Sequence, residues 1–261
     1  WFKMSYELNY IQDIEIKKTI DRFIDSLISV KRTKTIYATD FMNPKEIEYA
    51  TSILNTETDV GYMVTNCPVN CENKIIIMWD RYCYSEEYIN MFDYIGLLEI
   101  QTDQEITHRD ILGAVLNLGI NREKIGDIFT HNKRFYLCAT NTMIKFLNFN
   151  LTKIKKFNIS TSIIEENIEK DEEMFKSFTG IINSERLDCL VSEMANISRK
   201  DAQIMIKNKK IKLNYEVISN TSKSVEENSL VSIRGYGRYR LLEYLGSTKK
   251  DKLRIKYIKY I

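Results

Sequence analysis

The chain has 261 residues, 44% of them hydrophobic and 28% charged, with a formal net charge of +2. That length suits two or three domains of about 100 residues each, and the apolar content suffices for real cores in a soluble globular protein. No apolar run approaches the roughly 20 residues that a bilayer span requires, and no apolar segment follows Trp1-Phe2-Lys3 to make a signal peptide.

A chain that begins at Trp1 reads as a trimmed precursor or a remnant, with Met4 as a candidate start. Residues 6 to 30 are predicted helical, since Ile11, Ile14, Ile20, Ile24, Leu27 and Ile28 fall near a 3.6 period. Asn43-Pro44-Lys45-Glu46 starts a second helix: Asn43 serves as N-cap, Pro44 fits the first turn and Glu46 completes a capping box. Val60 to Val64 and Lys74 to Trp79 read as strands around a turn at Cys67-Pro68.

Ile95 to Ile100 is a further predicted strand, and Thr107-His108-Arg109-Asp110 a second capping box, opening a helix that stops at Gly119. Ile125 to Thr130 and Arg134 to Ala139 pair around His131-Asn132-Lys133, with Gly126-Asp127 read as a turn. A helix over 141 to 148 and a strand near Lys155 to Ser160 complete the middle region. The polar, acidic run from Ile164 to Lys176 reads as a linker.

Arg186 to Asn196 and the segment after Ser198 are predicted as two helices joined by Ile197-Ser198. Leu187, Leu190, Val191 and Met194 face inward from the first, and Ala202, Met205 and Ile206 from the second. Ser198 and Asp201 have capping-box spacing. Strands follow at Ile211, Leu213 and Tyr215, at Leu230 to Ile233, at Tyr239 to Leu245 and at Leu253 to Tyr260.

Charge is distributed unevenly. Residues 181 to 261 hold 17 Lys and Arg against 9 Asp and Glu, and the remainder holds 21 against 27. A basic C-terminal domain on a nearly neutral chain is the footprint of a polyanionic partner. Arg199, Lys200, Lys207, Lys209 and Lys210 fall at the mouth or exit of the second helix, and free amides at Ser198 add partial positive charge suited to a phosphate. Lys212, Arg234, Arg238 and Arg240 widen the patch, and Tyr236 and Tyr239 read as packing residues before stacking ones. Arg109, Arg122 and Lys124 form a candidate second surface.

Chemistry beyond binding finds little support. The five cysteines, Cys67, Cys71, Cys83, Cys138 and Cys189, are expected reduced. Cys67 and Cys71 have C-x3-C spacing, yet His108 and His131 lie far along the chain and no second pair exists, so no metal is expected. His108-Arg109-Asp110 lacks the glycine-rich loop and D-F-G of a kinase. Asp188 reads as the partner of Arg186 in a helix-surface ion pair. No G-x-x-x-x-G-K motif is present. A non-enzymatic protein without cofactor or small-molecule substrate is the expectation.

The run R-L-D-x-x-L, S-R-x-x-A-x-x-x-I and I-K-L-N resembles the S4 RNA-binding domain, carried by Arg186, Leu187, Asp188, Leu190, Ser198, Arg199, Ala202, Ile206, Ile211 and Asn214. Lys209 stands where that family usually has glycine, and Asn228-Ser229 where it has Gly-Asp. Asn208 and Asn228 are expected to fill the left-handed turn positions. Upstream, Thr39 to Glu46, His108 to Ala114 and Leu118 to Ile128 resemble the YlmH family. So do Arg234-Gly235-Tyr236-Gly237-Arg238 and Gly246-Ser247-Thr248-Lys249-Lys250.

The resemblance implies an α+β protein. Its parts would be a mostly helical region over 1–70, a central α/β sandwich-like RNA-binding-type domain over 71–163, a linker over 164–180 and a C-terminal S4 domain over 181–261. It implies binding to structured RNA (rRNA and peptidyl-site tRNA) on the large ribosomal subunit, in quality control of stalled nascent chains, in the cytoplasm. RNA-contacting residues would be Arg186, Ser198, Arg199, Lys200, Lys207, Lys209, Lys210, Lys212, Arg234 and Arg238. The alternatives are an RNA-modifying enzyme carrying an S4 appendage, and an organellar, photosystem-related factor placed in the stroma if the chain is a processed precursor.

Overall fold

The computed structural model describes Tyr6, residues 8–248 and residues 251–261. Trp1, Phe2, Lys3 and Met4, and Lys249 and Lys250 of the last motif, lie outside the described residues. The chain forms two compact units, residues 18–171 and residues 1–17 with 172–261. Its class is α+β, as expected, with every strand pair of the named sheets antiparallel.

The first element is α1 (Ile14–Thr33), which belongs to the unit of residues 18–171 from Lys18 onward. The helix starts eight residues later than its apolar period suggests, because the Asp13 carboxylate accepts from Glu15 N at 2.9 Å and so takes the capping position. Next come β1 (Tyr37–Ala38) and α2 (Pro44–Leu54), whose Asn43–Glu46 capping box forms as read. Strands β2 (Val60–Val64) and β3 (Ile76–Asp80) join β1 in a sheet of order β1-β3-β2. The expected break at residue 70 therefore gives way to one sheet whose middle strand lies beyond it.

A second sheet, of order β5-β6-β4-β9, contains β4 (Ile95–Gln101), β5 (Ile125–His131), β6 (Arg134–Thr140) and β9 (Ser160–Ile164). Helices α3 (His108–Asn117) and α4 (Asn141–Asn150) pack on one face, where Leu98, Ile100, Leu137 and Ala139 meet Ile111, Val115, Ile144 and Leu147. Ile95, Leu97, Phe129, Tyr136 and Cys138 point the other way, into a core with Phe41, Cys67, Ile75, Ile77 and Trp79. Both faces are covered, which is why β4 is buried without alternation from Ile95 to Ile100, its one charged residue, Glu99, being paired with Arg134. The strand expected near 155–160 is instead a hairpin, β7 (Lys153–Ile154) with β8 (Phe157–Asn158), followed by β9.

Gly126 and Asp127 lie within β5 rather than in a turn. The buried Asp127 carboxylate accepts from Glu72 N, Asn73 N and Asn73 Nδ2 at 2.8–3.1 Å, and Lys170 Nζ lies 3.1 Å away. Those bonds outweigh the burial that would raise its pKa, and hold it below the ordinary carboxylate value.

The other unit is built on a six-stranded sheet of order β10-β15-β14-β13-β11-β12. Its strands are β10 (Phe175–Ile182), β11 (Ile211–Leu213), β12 (Glu216–Val217), β13 (Leu230–Ile233), β14 (Gly237–Ser247) and β15 (Leu253–Tyr260). α5 (Leu187–Ala195) and α6 (Arg199–Lys207) share one core with it: Leu187, Leu190, Val191, Ala202 and Ile206 meet Ile211, Val231, Tyr239, Leu241 and Ile255. Tyr215 does not extend the strand. It and Asn214 have φ of 73° and 47°, a two-residue turn between β11 and β12.

The expected linker over 164–180 is mostly structured. Val69 N donates to Ile168 O and Asp171 N to Thr130 O within one unit, while β10 pairs with β15 along all eight of its residues in the other. As an edge strand β10 buries only Gly180 and Ile182, so apolar alternation gives little sign of it.

Candidate nucleic-acid interface

Asp188 is the organising residue of the helical pair. Its side chain is fully buried and sits in the first turn of α5, where a carboxylate suits the helix dipole. Arg199 Nε donates to Oδ2 at 3.0 Å and Nη2 to Oδ1 at 3.3 Å; Gln203 Nε2 donates to Oδ2 at 2.6 Å. Arg186 Nε and Nη2 reach the same carboxylate at 3.3 and 3.4 Å. Burial alone would raise the pKa of Asp188, but the bonds from Gln203, Arg199 and Arg186 bring it down to about 2.

The expected surface pair is thus a buried carboxylate shared by two arginines. Their side chains remain 40% and 44% exposed, so two guanidinium groups are held in one place with a net charge of one. Gln203 escaped the sequence reading, although it lies four residues after Arg199 on the same helix face.

The Ser198 end of α6 departs from expectation. Ser198 Oγ accepts from Asp201 N at 3.1 Å and donates to the Asp201 carboxylate at 2.6 Å. The cap is half of a capping box, and its carboxylate offsets the positive pole that was expected to favour a phosphate. Lys200 is exposed beside it.

The remaining C-terminal candidates fall into two further groups. Lys207, Lys209 and Lys210 are exposed at the other end of α6, about 13 Å along its axis, and Arg234 N donates to Lys210 O. Lysines at a helix C-terminus oppose the dipole favourably. The helix closes by bonds from Lys209 N to Ile206 O and Lys210 N to Met205 O, the Schellman pattern, which requires a left-handed residue after the cap. Asn208 does not fill that role: its φ is −82°, and Lys209 takes +56°. Asn228, at φ +63°, does adopt the expected left-handed form. Lys212 and Arg238 lie on the sheet, both in register with Ser232. Tyr239 is buried packing, whereas Tyr236 is exposed at the turn before β14.

The second candidate surface does not assemble. Lys124 is ion-paired with Asp40, and Arg122 Nη1 donates to the Ile125 carbonyl. Arg109 is exposed on α3, whose Thr107–Asp110 capping box forms as read. Cys67 and Cys71 are buried, with thiols pushed up by burial to about 12 and about 11. No group of His, Cys, Asp or Glu among the described residues can hold a metal ion.

Residues 92–168 match the family model described as "Putative RNA-binding domain in YlmH". The chain is 29% identical over 242 residues to the "Ribosome-associated protein quality control protein P2" of Bacillus subtilis (strain 168), covering 90% of this chain and 93% of that protein. A solved structure, "Cell division protein ylmH from Streptococcus pneumoniae", is 24% identical and covers 61% of this chain and 95% of its own, at a TM-score of 0.49. The chain is therefore an α+β protein containing a domain of the type described as RNA-binding. In sequence it is similar to the YlmH family, over residues 92–168 by the family model and over 90% of the chain by the Bacillus subtilis relative.

Proposed function

We propose that this protein binds structured RNA without catalysis, engaging rRNA and tRNA on the large ribosomal subunit during quality control of stalled nascent chains. The observation that carries the reading is the Arg186–Asp188–Arg199 cluster, which fixes two half-exposed guanidinium groups at the junction of α5 and α6, next to exposed Lys200. Rigid, clustered cations suit RNA because its deep, narrow major groove forces recognition through backbone and shape. The name of the Bacillus subtilis relative supports the ribosomal setting, and its bacterial source supports the cytoplasm over an organelle.

On this reading residues 181–261, extended by the edge strand β10, form the S4 module. The matched segment 92–168 contributes a second RNA-binding domain. Its sheet is no stacking platform, because both faces are covered by protein. Arg186, Arg199 and Lys200 make the first contact, with Lys207, Lys209, Lys210 and Arg234 extending it along α6, and Lys212 and Arg238 reached from the sheet.

Co-sedimentation with purified large subunits tests the proposal. Lys200→Glu with Lys207→Glu changes only exposed side chains, so binding should fall while the thermal midpoint holds. Binding and its salt dependence equal to wild type would overturn it.

A further inference from the structure

We infer that the open cavity between α3 and the β7–β8 hairpin is a cradle for the phosphodiester backbone of RNA. This inference rests on the RNA-binding reading and locates a contact surface in the matched domain. The cavity measures about 500 Å³; Arg109, Gly113 and Asn117 line it from α3, and Thr152, Lys153 and Lys155 from the facing hairpin.

Three features favour a polyanion. Arg109, Lys153 and Lys155 all face the cavity and are exposed, against one carboxylate, Asp110. That carboxylate is already engaged: Lys155 Nζ lies 2.8 Å from it, and Thr107 N and Oγ1 donate to it at 2.9 and 2.8 Å. Arg109 and Lys153 make no ion pair among the described residues, so their charge faces solvent.

Gly113 supplies the third feature. A glycine inside a helix weakens it, and packing usually explains its presence. Here a Cβ would meet nothing within 4 Å, so no neighbour demands the glycine. Its missing side chain keeps the cavity wall low, which permits a bulky sugar-phosphate chain to approach the helix closely. The hairpin is rigidly placed by Ile154, fully buried in the core beneath α3 and α4. A preorganised cationic concavity grips a backbone at small entropic cost.

The test uses the full chain and a labelled stem-loop RNA, with affinity measured by fluorescence anisotropy across a salt series. Arg109→Ala with Lys153→Ala should lower the logarithmic salt slope by about 1 for each contact removed. Gly113→Leu should weaken binding while the thermal midpoint stays level or rises. Wild-type slope and affinity in both variants would overturn the inference. If Lys200→Glu with Lys207→Glu still loses binding in that case, the RNA-binding reading survives and only this cradle fails. Absence of binding by the wild-type chain would overturn both. Displacement of the RNA by equimolar uridine monophosphate would overturn the cradle in favour of a free-nucleotide site.

Discussion

Arg199 Nε donates to Asp188 Oδ2 at 3.0 Å, and that bond joins the first residue of α6 to the first turn of α5. The consequence is that Arg199 serves two ends at once. Its side chain stays 44% exposed, while its bonds, together with those of Arg186 and Gln203, compensate a buried carboxylate.

Replacing Asp188 should therefore reach both folding and binding. Asp188→Asn removes charge-assisted hydrogen bonds of a kind that contribute about 1.5–3 kcal/mol, and frees Arg186 and Arg199 to wander. Chemical denaturation near neutrality should show that loss. The pH dependence has a definite sign: a carboxyl depressed to about 2 stabilises the fold above the ordinary carboxylate pKa. That contribution fades as pH falls from the ordinary value of 3.8 towards 2. Wild type and variant should converge in stability over that interval; a constant gap would show that the carboxylate charge is not the source.

Lys209 offers a way to separate charge from strain. A non-glycine residue in left-handed conformation costs about 1–2 kcal/mol, so Lys209→Gly should raise stability by about 1 kcal/mol after the entropic cost of glycine. Lys209→Ala keeps the strain. RNA affinity should fall equally in both, because both lose the same cation. Unequal affinities would mean that backbone geometry, not charge, matters at this turn.

Gly126 in β5 abuts Phe41, where an added Cβ would come within 2.5 Å of the ring. Gly126→Ala must displace that ring in a packed core and should cost about 1–3 kcal/mol. A thermal midpoint equal to wild type would show that Phe41 moves freely.

Thiol labelling should report burial directly. Cys83 is exposed, whereas Cys67, Cys71, Cys138 and Cys189 are buried. Burial holds Cys67, Cys71 and Cys138 well above the ordinary thiol pKa, so few of them are thiolate near neutrality. One equivalent of reagent should react in the native protein and the other four only after denaturation. Prompt reaction of a second thiol would show that one of the buried sites opens readily.

Local signals in the sequence determined much of this protein. Asn43–Glu46 and Thr107–Asp110 cap their helices where read, because a cap depends on residues three apart and on nothing distant. Leu230 to Ile233 and Leu253 to Tyr260 are strands at the expected bounds, since each carries enough inward-facing apolar residues to mark it. The basic cluster was likewise legible as composition. What only tertiary structure decided is where the other charges go: Lys124 to Asp40, Arg122 to a backbone carbonyl, and Arg199 to the buried Asp188 that local spacing had already paired with Arg186. Partners from separate elements, up to eighty-four residues apart in the case of Lys124 and Asp40, leave no periodic trace in the chain. The same reason hid β10, whose backbone bonds to β15 require no side-chain pattern, and the Lys153 hairpin that faces Arg109.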